Sequence, residues 1–376
     1  MAPKREPRAN VAIAHDYLTQ RGGAEKVVLA LHRAFPEAPV HTTLFEPDLT
    51  YPEFQGVDVV PSKLNAFRIF RRSHRLALPF LAPIANSMSV DADHTIVSSS
   101  GWAHGFRTTG SKIVYCYSPA RWLYQREAYL GSRGLNPQRM VLTILSPFLK
   151  RWDRRQAATA TKYFAISTVV QQRIRDAYGI EAEVLPAPHS IDTALPQDPV
   201  DLSSEHEAGF YLCISRLLPY KNVHAVVEAF NQLGLPLVVV GTGPEEKHLA
   251  SLAGPNVVMR KNLSDAQMRW LYQRTQAVVS ASFEDFGLTP IEAAAYGKPS
   301  IVLRWGGFLD TVRENETGVY FDDPQPAAIV AAVKAARTVS WDADLIRSHT
   351  EIFSEEHFAR RLRAEIESID ESGGSA

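Results

Sequence analysis

The sequence predicts an α/β chain built from two parallel-sheet domains. Short apolar runs of strand length alternate with stretches whose apolar residues recur at helical spacing, the pattern of a parallel sheet wrapped by helices. The chain has 376 residues, more than one hydrophobic core usually supports, and 45% hydrophobic content lets each of two domains bury a core. Pro186, Pro188, Pro196 and Pro199 cluster near the middle and mark a linker.

The elements follow in order. Residues 11–14 read as a first strand, the loop after it holds Asp16, Gly22 and Gly23, and residues 24–35 repeat apolar positions at helical spacing. That is a βα unit whose glycine pair lets backbone approach a ligand. Residues 94–98, 112–116 and 163–167 read as later strands of the same sheet. A second α/β domain is expected from about Gly209, with strands at 210–214 and 276–280 and a helix at 291–296. The expected division is 1–195, 205–352, and a last segment 353–376 whose helix, 353–369, precedes a frayed tail.

Composition excludes several classes. A net charge of −1 argues against a general nucleic-acid binder. Cys116 and Cys213 fall in separate expected strands, so they read as buried thiols and not a disulfide. No apolar stretch reaches the length of a membrane span, and residues 1–8 lack the apolar core of a leader, so the expected compartment is the cytoplasm.

The residues that carry chemistry lie mainly in the second half. Glu284 and Glu292 are separated by seven residues across a strand–loop–helix junction, with Phe286, Gly287, Leu288 and Thr289 between them. The first N–H groups of a helix point outward unpaired and favour an anion, so this junction suits a phosphate flanked by two carboxylates that accept from sugar hydroxyls. Arg216 and Lys221 stand where an earlier strand gives way to helix. A planar guanidinium and a mobile ammonium together suit a diphosphate.

These motifs, with 238–245, 263–265, 297–299 and the Gly306-Gly307 pair in order, resemble the retaining family 4 glycosyltransferases of the GT-B fold. Asp16, Gly22, Gly23 and the run 115–121 most resemble bacterial polysaccharide mannosyltransferases. The resemblance implies two facing Rossmann-like, doubly wound domains with an interdomain cleft, and a final helix that crosses back to the first. It also implies a nucleotide-sugar donor, GDP-mannose before UDP-glucose or another UDP-sugar, and an acceptor on a polyprenyl-linked glycan for envelope or exopolysaccharide synthesis. Arg216, Lys221 and Glu284 are implied as catalytic. Gly22, Gly23, Arg216, Lys221, Glu284, Phe286, Gly287, Leu288, Thr289 and Glu292 are implied on the donor side, with Glu284 at the hexose and Glu292 at the ribose. Asp16, His104, Tyr117 and Arg121 are the acceptor-side candidates, Tyr117 standing where the related enzymes often have histidine. Asp310 replaces a common glutamate near the glycine pair. An inactive sugar-nucleotide-binding partner of a synthesis complex is the alternative from another class.

No cofactor or metal is expected. The pairs Asp91/Asp93 and Asp342/Asp344 have metal-like spacing, but one reads as a turn before a strand and the other lies in a helical region. Residues 59–90 contain Lys63, Arg68, Arg71, Arg72 and Arg75 among large apolar residues and read either as a basic amphipathic helix for a membrane surface or as a surface helix whose apolar face packs on the first domain. A second stretch, 128–152, with Arg133, Arg139, Lys150 and Arg151 near Phe148 and Trp152, extends the same character.

Overall fold

The computed structural model describes residues 10–125, 137–202, 206 and 209–373. The chain divides into two compact units, Met1–Pro188 with Glu355–Ala376, and His189–Ser354.

The first unit holds β1 (Val11–His15), β2 (Val40–Thr42), β3 (Val59–Pro61), β4 (Ser89–Val90), β5 (His94–Ser99), β6 (Arg107–Thr108), β7 (Ser111–Cys116), β8 (Lys162–Ala165) and β9 (Glu183–Val184). Seven of these form one parallel sheet in the order β3-β2-β1-β5-β7-β8-β9, and β4 pairs with β6 beside it. Every residue of β5 is buried, as a strand covered by helices on both faces requires. The strand order reverses between β1 and β5. Open α/β sheets bind ligands beyond the carboxyl ends of the strands at such a reversal.

The second unit holds β10 (Phe210–Ile214), β11 (Leu237–Val240), β12 (Val257–Arg260), β13 (Thr275–Ser280), β14 (Ser300–Leu303) and β15 (Gly318–Phe321). They form a parallel sheet in the order β12-β11-β10-β13-β14-β15, reversing between β10 and β13. Leu237 and Val239 pack into one core with Val279 and Ile301, whereas Val238 and Val240 pack into another with Leu212 and Val278. The two-residue period of a strand thus feeds both faces, which is why β11 is an unbroken apolar run. Ser264 and Gln267 form a reciprocal capping box that starts the helix Asp265–Arg274. Val200 and Leu202 are core members here, so the segment after the proline cluster is packed onto the second unit.

The structure differs from expectation in two places. Residues 59–90 are not one basic helix: β3 is followed by a 3-10 turn Lys63–Ala66 and helices Arg68–Arg72 and His74–Ser87. Ser62 caps that turn, Ser73 interrupts the helices with non-helical backbone, and Arg71 is spent on Glu46 at 3.0 Å. The last helix runs Glu355–Gly373, later at both ends than expected, because Phe353 sits in a separate 3-10 turn and the helix continues through residues read as tail. It anchors to the first unit through Arg33–Glu355 and through Phe358, whose ring meets Tyr115 edge-on at 5.2 Å. Residues 374–376, and in the second basic stretch residues 128–136 with Arg133 and the side chain of Arg139, lie outside the described residues.

Cys116 and Cys213 are buried and free, and burial pushes the Cys213 thiol up to about 12. No helix among the described residues is long and apolar enough to cross a membrane.

Candidate active site

In the second unit, the sheet reversal brings two loops together. The loop after β10 enters a 3-10 turn, Pro219–Lys221, and Asn222 then takes left-handed backbone (φ 52°) before the helix Val223–Leu233. Asn222 donates from Nδ2 to the Ala281 carbonyl at 2.9 Å and so ties this turn to the loop after β13. Lys221 is delivered to Glu284: its Nζ donates to Oε1, which also accepts from the Ser282 hydroxyl at 2.9 Å. The lysine side chain is 7% exposed and the glutamate 30%, so the pair is half-sheltered with its open side on the carboxylate.

Arg216 lies on the same loop, exposed, with Nη2 donating to the Tyr220 hydroxyl at 3.3 Å. Its charge has no carboxylate partner among the described residues.

The helix Leu288–Ala295 opens at Gly287, whose φ of 87° is left-handed and whose missing Cβ leaves room for the Phe308 ring, 2.6 Å from where a Cβ would stand. Leu288 and Thr289 supply the first helical N–H groups and are partly exposed. Phe286 is turned inward, 6% exposed and against Phe353 at 6.2 Å, so its backbone and not its ring is available to a ligand. That backbone is pressed onto the glycine pair: a Cβ on Gly307 would stand 2.2 Å from Phe286 Cα, and the Gly307 N–H donates to the Glu284 carbonyl at 2.9 Å. The glycine pair therefore fixes the height of the loop that carries Glu284. Asp310 follows in the short helix Phe308–Thr311 and is half-buried.

Glu292 is one turn further into the helix. Its Oε2 accepts from the Tyr272 hydroxyl, and the Tyr272 ring stacks on Tyr296 at 5.8 Å. Burial, with the adjacent carboxylate, holds the Tyr272 phenol well above its ordinary range, so it stays a donor to Glu292. Sequence alone assigns no role to Tyr272, nor to Ser282 and Asn222 beyond their place in the two motifs. Nothing in their spacing distinguishes them, since each acts through a contact made only in the fold.

The first unit's candidates divide differently. Asp16 is 2% exposed and fully used: it accepts from the backbone N–H groups of Ser100 (2.5 Å), Trp102 (2.8 Å) and Ala103 (2.7 Å) and from the Ser100 hydroxyl (2.9 Å). Expected on the acceptor side, it instead clamps the loop after β5, because three converging N–H groups make a strong site for a buried carboxylate. His104, the other acceptor-side candidate in this region, is likewise engaged inside the unit. It is 3% exposed, its Nε2 lies 2.8 Å from Asp153 Oδ1, and it packs between Trp152 and Tyr178. It is an interior residue of the first unit.

Tyr117 shares its hydroxyl with Ser98 Oγ at 2.8 Å and the Ala24 carbonyl at 3.2 Å, and Ser98 Oγ lies 3.0 Å from His15 Nδ1. Burial holds the Tyr117 phenol well above its ordinary range. Gly22 caps the helix Gly23–Ala34, and a Cβ on it would stand 2.6 Å from Glu25 Oε2. Glu25 is 1% exposed, and burial raises its carboxyl above the usual range. The glycine turn thus already holds a carboxyl of its own chain. Arg121 opens the helix Arg121–Tyr124 and is partly exposed.

The carboxylate pairs with metal-like spacing are engaged. Asp93 accepts from the Asn10 N–H at 2.8 Å, Asp91 from the Thr109 hydroxyl at 2.9 Å, Asp342 caps the helix Ala343–His349, and Asp344 pairs with Arg347.

Residues 196–338 match the family model of glycosyl transferases group 1. The matched residues all lie within the second unit. The chain is 28% identical over 212 residues to the D-rhamnosyltransferase WbpZ of Pseudomonas aeruginosa, covering 52% of this chain and 54% of that one. It is 33% identical over 132 residues to the O-antigen chain mannosyltransferase C of Escherichia coli, covering 33% of this chain and 36% of the other. The matches thus span about half or less of these relatives' own length. Among solved structures, Anabaena Alr3699/HepE in complex with UDP superposes with a TM-score of 0.68 at 16% identity, covering 96% of this chain and 100% of that one. This likeness shows the fold: GT-B, mixed α/β with a parallel sheet in each of two Rossmann-like domains.

Proposed function

We propose that this chain is a retaining glycosyltransferase of family 4 that moves a hexose from a nucleotide diphosphate sugar to a saccharide acceptor carried on a lipid. The observation that carries the reading is the Lys221–Glu284 pair at the sheet reversal. A cation suited to the leaving diphosphate touches a carboxylate suited to hexose hydroxyls, so the two flank the bond between sugar and phosphate. Arg216, charged and exposed on the same loop, takes the distal phosphate. Glu292, held by Tyr272 one turn into the next helix, accepts from the ribose. Gly287, Leu288 and Thr289 present backbone donors between the two carboxylates.

In the proposed step the bond from C1 to the phosphate oxygen breaks and a bond from C1 to the acceptor oxygen forms on the same face. The acceptor proton passes to the departing phosphate, so no dedicated base is needed. Lys221, Arg216 and the helix N–H groups stabilise the growing negative charge, and preorganised donors of this kind contribute roughly 10² to 10³ in rate each. The reaction is proposed to need no metal, the two cations serving at the diphosphate.

GDP-mannose is the proposed donor, supported by the mannosyltransferase among the relatives. A UDP-sugar is the second reading, favoured by the solved neighbour's complex with UDP. The proposed place of work is the cytoplasmic face of a membrane, in polysaccharide synthesis.

Thermal shift and hydrolysis against GDP-, UDP- and ADP-sugars without added metal test this. Stabilisation by GDP with slow turnover of GDP-mannose is the expected result, and the UDP pattern would move the donor to the second reading. Silence across the panel would overturn the enzymatic reading in favour of a non-catalytic partner.

A further inference from the structure

The helix Pro137–Ala157 carries a charged cluster that the proposed reaction does not use. Pro147, Phe148, Arg151, Arg154, Arg155 and Ala158 recur at intervals that place them on one helical face, and all are exposed. Lys150, Arg151, Arg154 and Arg155, with Pro147 and Ala158, line an open depression of about 610 Å³. The acid among them, Asp153, is 1% exposed and turned inward to His104. The outward charge of this segment is therefore entirely positive, on a chain whose net charge is −1.

Internal partners engage these cations only in part. Arg154 gives Nε to the Ala177 carbonyl at 2.8 Å, and Lys150 lies over the Tyr124 ring at 5.1 Å. Among the described residues, none of the four makes an ion pair. Like charges one helical turn apart, as in Lys150/Arg154 and Arg151/Arg155, repel unless an anion sits between them.

The same face carries an apolar end. Phe148 is 72% exposed, the highest value for a large apolar side chain among the described residues, and Leu145, three residues earlier, is 42% exposed. Beside this helix runs His74–Ser87, joined to it by Gln156 Nε2 donating to Asn86 Oδ1 at 3.4 Å, with Leu76 at 49% and Phe80 at 50% exposed. Phosphate alone explains the cations but leaves the bare phenyl ring without a role. A soluble acidic partner shares that difficulty.

We propose that this face binds a phosphate or diphosphate group carried on a lipid in a bilayer, with Arg151, Arg154, Arg155 and Lys150 at the headgroup and Phe148 and Leu145 at the acyl boundary. Basic side chains on an amphipathic helix gain from the negative surface, and the apolar side chains enter it shallowly. The proposal deepens the functional reading and rests on its lipid-carried acceptor. It places the headgroup on a different element from the residues assigned to the donor.

The test is co-sedimentation of the full chain with phosphatidylcholine vesicles with and without phosphatidylglycerol, comparing wild type, the double variant Arg151→Gln/Arg155→Gln, and Phe148→Ser. Both arginines are exposed without ion pairs among the described residues, and circular dichroism confirms folding of each variant. Partition of the wild type onto the anionic vesicles is expected to exceed that onto neutral ones and to fall with salt. The double variant should bind about 25-fold more weakly, about five-fold for each cation removed. Phe148→Ser should also lose vesicle binding while retaining any stabilisation by inorganic diphosphate. Unchanged partition of both variants would overturn the proposal. So would inorganic diphosphate or single-stranded RNA binding that depends on the arginines while vesicle binding does not. Donor hydrolysis, measured alongside, should be unaltered in every variant; its absence in the wild type would count against the proposed reaction and leave the vesicle result standing.

Discussion

Replacing Lys221 and Glu284 singly and together tests the central pair. The lysine side chain is 7% exposed and the glutamate 30%, so the two single variants are not equivalent. Lys221→Met leaves Glu284 with the Ser282 hydroxyl at 2.9 Å and an open side to water, and should cost about 1 kcal/mol of stability. Glu284→Gln strands a nearly buried ammonium without its countercharge and should cost more, about 2 to 3 kcal/mol, below the range for a fully buried pair because one partner is open. In activity each single variant should lose roughly 10² to 10³ in kcat, about 3 to 4 kcal/mol of transition-state stabilisation. If the two act on one bond, the double variant loses little beyond the worse single one, leaving a coupling energy of about 2 to 3 kcal/mol. Denaturant unfolding gives the first set of numbers and single-turnover hydrolysis of the nucleotide sugar the second. Losses that add to within about 0.5 kcal/mol would refute the view that the pair works as a unit.

Two further predictions concern structure around the sites. Gly307→Ala puts a Cβ 2.2 Å from Phe286 Cα, so the loop carrying Glu284 must lift; a stability loss of about 1 to 3 kcal/mol with a raised KM for the donor is expected. Normal kinetics in that variant would show that the glycine pair does not set the loop. Lys112 is 3% exposed, its Nζ donates to the His104 carbonyl at 3.0 Å and to Thr159 Oγ1 at 2.8 Å, and burial brings it down from 10.5 to about 8. Below pH 8 both folded and unfolded chains carry the proton and pH has no effect through this group. Between about 8 and 10.5 only the unfolded chain keeps it, so stability rises with pH, by about 2 to 3 kcal/mol in all. Lys112→Met should lack that rise, and equal pH slopes in the two melting series would contradict the buried-amine assignment.

Much of the fold could be read from the sequence because its signals are local. Runs such as 210–214 and 277–279 are apolar since helices cover both faces of the sheet, and that pattern survives without knowledge of any partner. The loop from Glu284 to Glu292 was legible for the same reason: a glycine between a strand and a helix needs left-handed backbone, and Gly287 has it. The stretch 59–90 was not, because its breaks depend on Ser62 and Ser73, whose side chains and backbone compete with helix only in a particular tertiary setting. The edge strands β3 and β9, at three and two residues, are too short to carry a period.

Asp16 and His104 show that a residue type expected at a ligand can be engaged within the fold itself. Both are polar side chains in loops beyond strand ends at the sheet reversal, the place where ligand residues belong. Yet the loop that forms such a site must itself be held, and its N–H groups need acceptors as much as a ligand does. Asp16 supplies three of those acceptor contacts and His104 anchors the turn below through Asp153, so both shape the first unit's loop from within. In the second unit the same task falls to neutral groups, the Asn222 amide and the Gly307 N–H, which leaves Lys221 and Glu284 to each other and to what binds. The division follows from chemistry: a charge saturated by backbone donors is a support, whereas a charge held by one opposite charge with an open side can exchange that partner for a substrate.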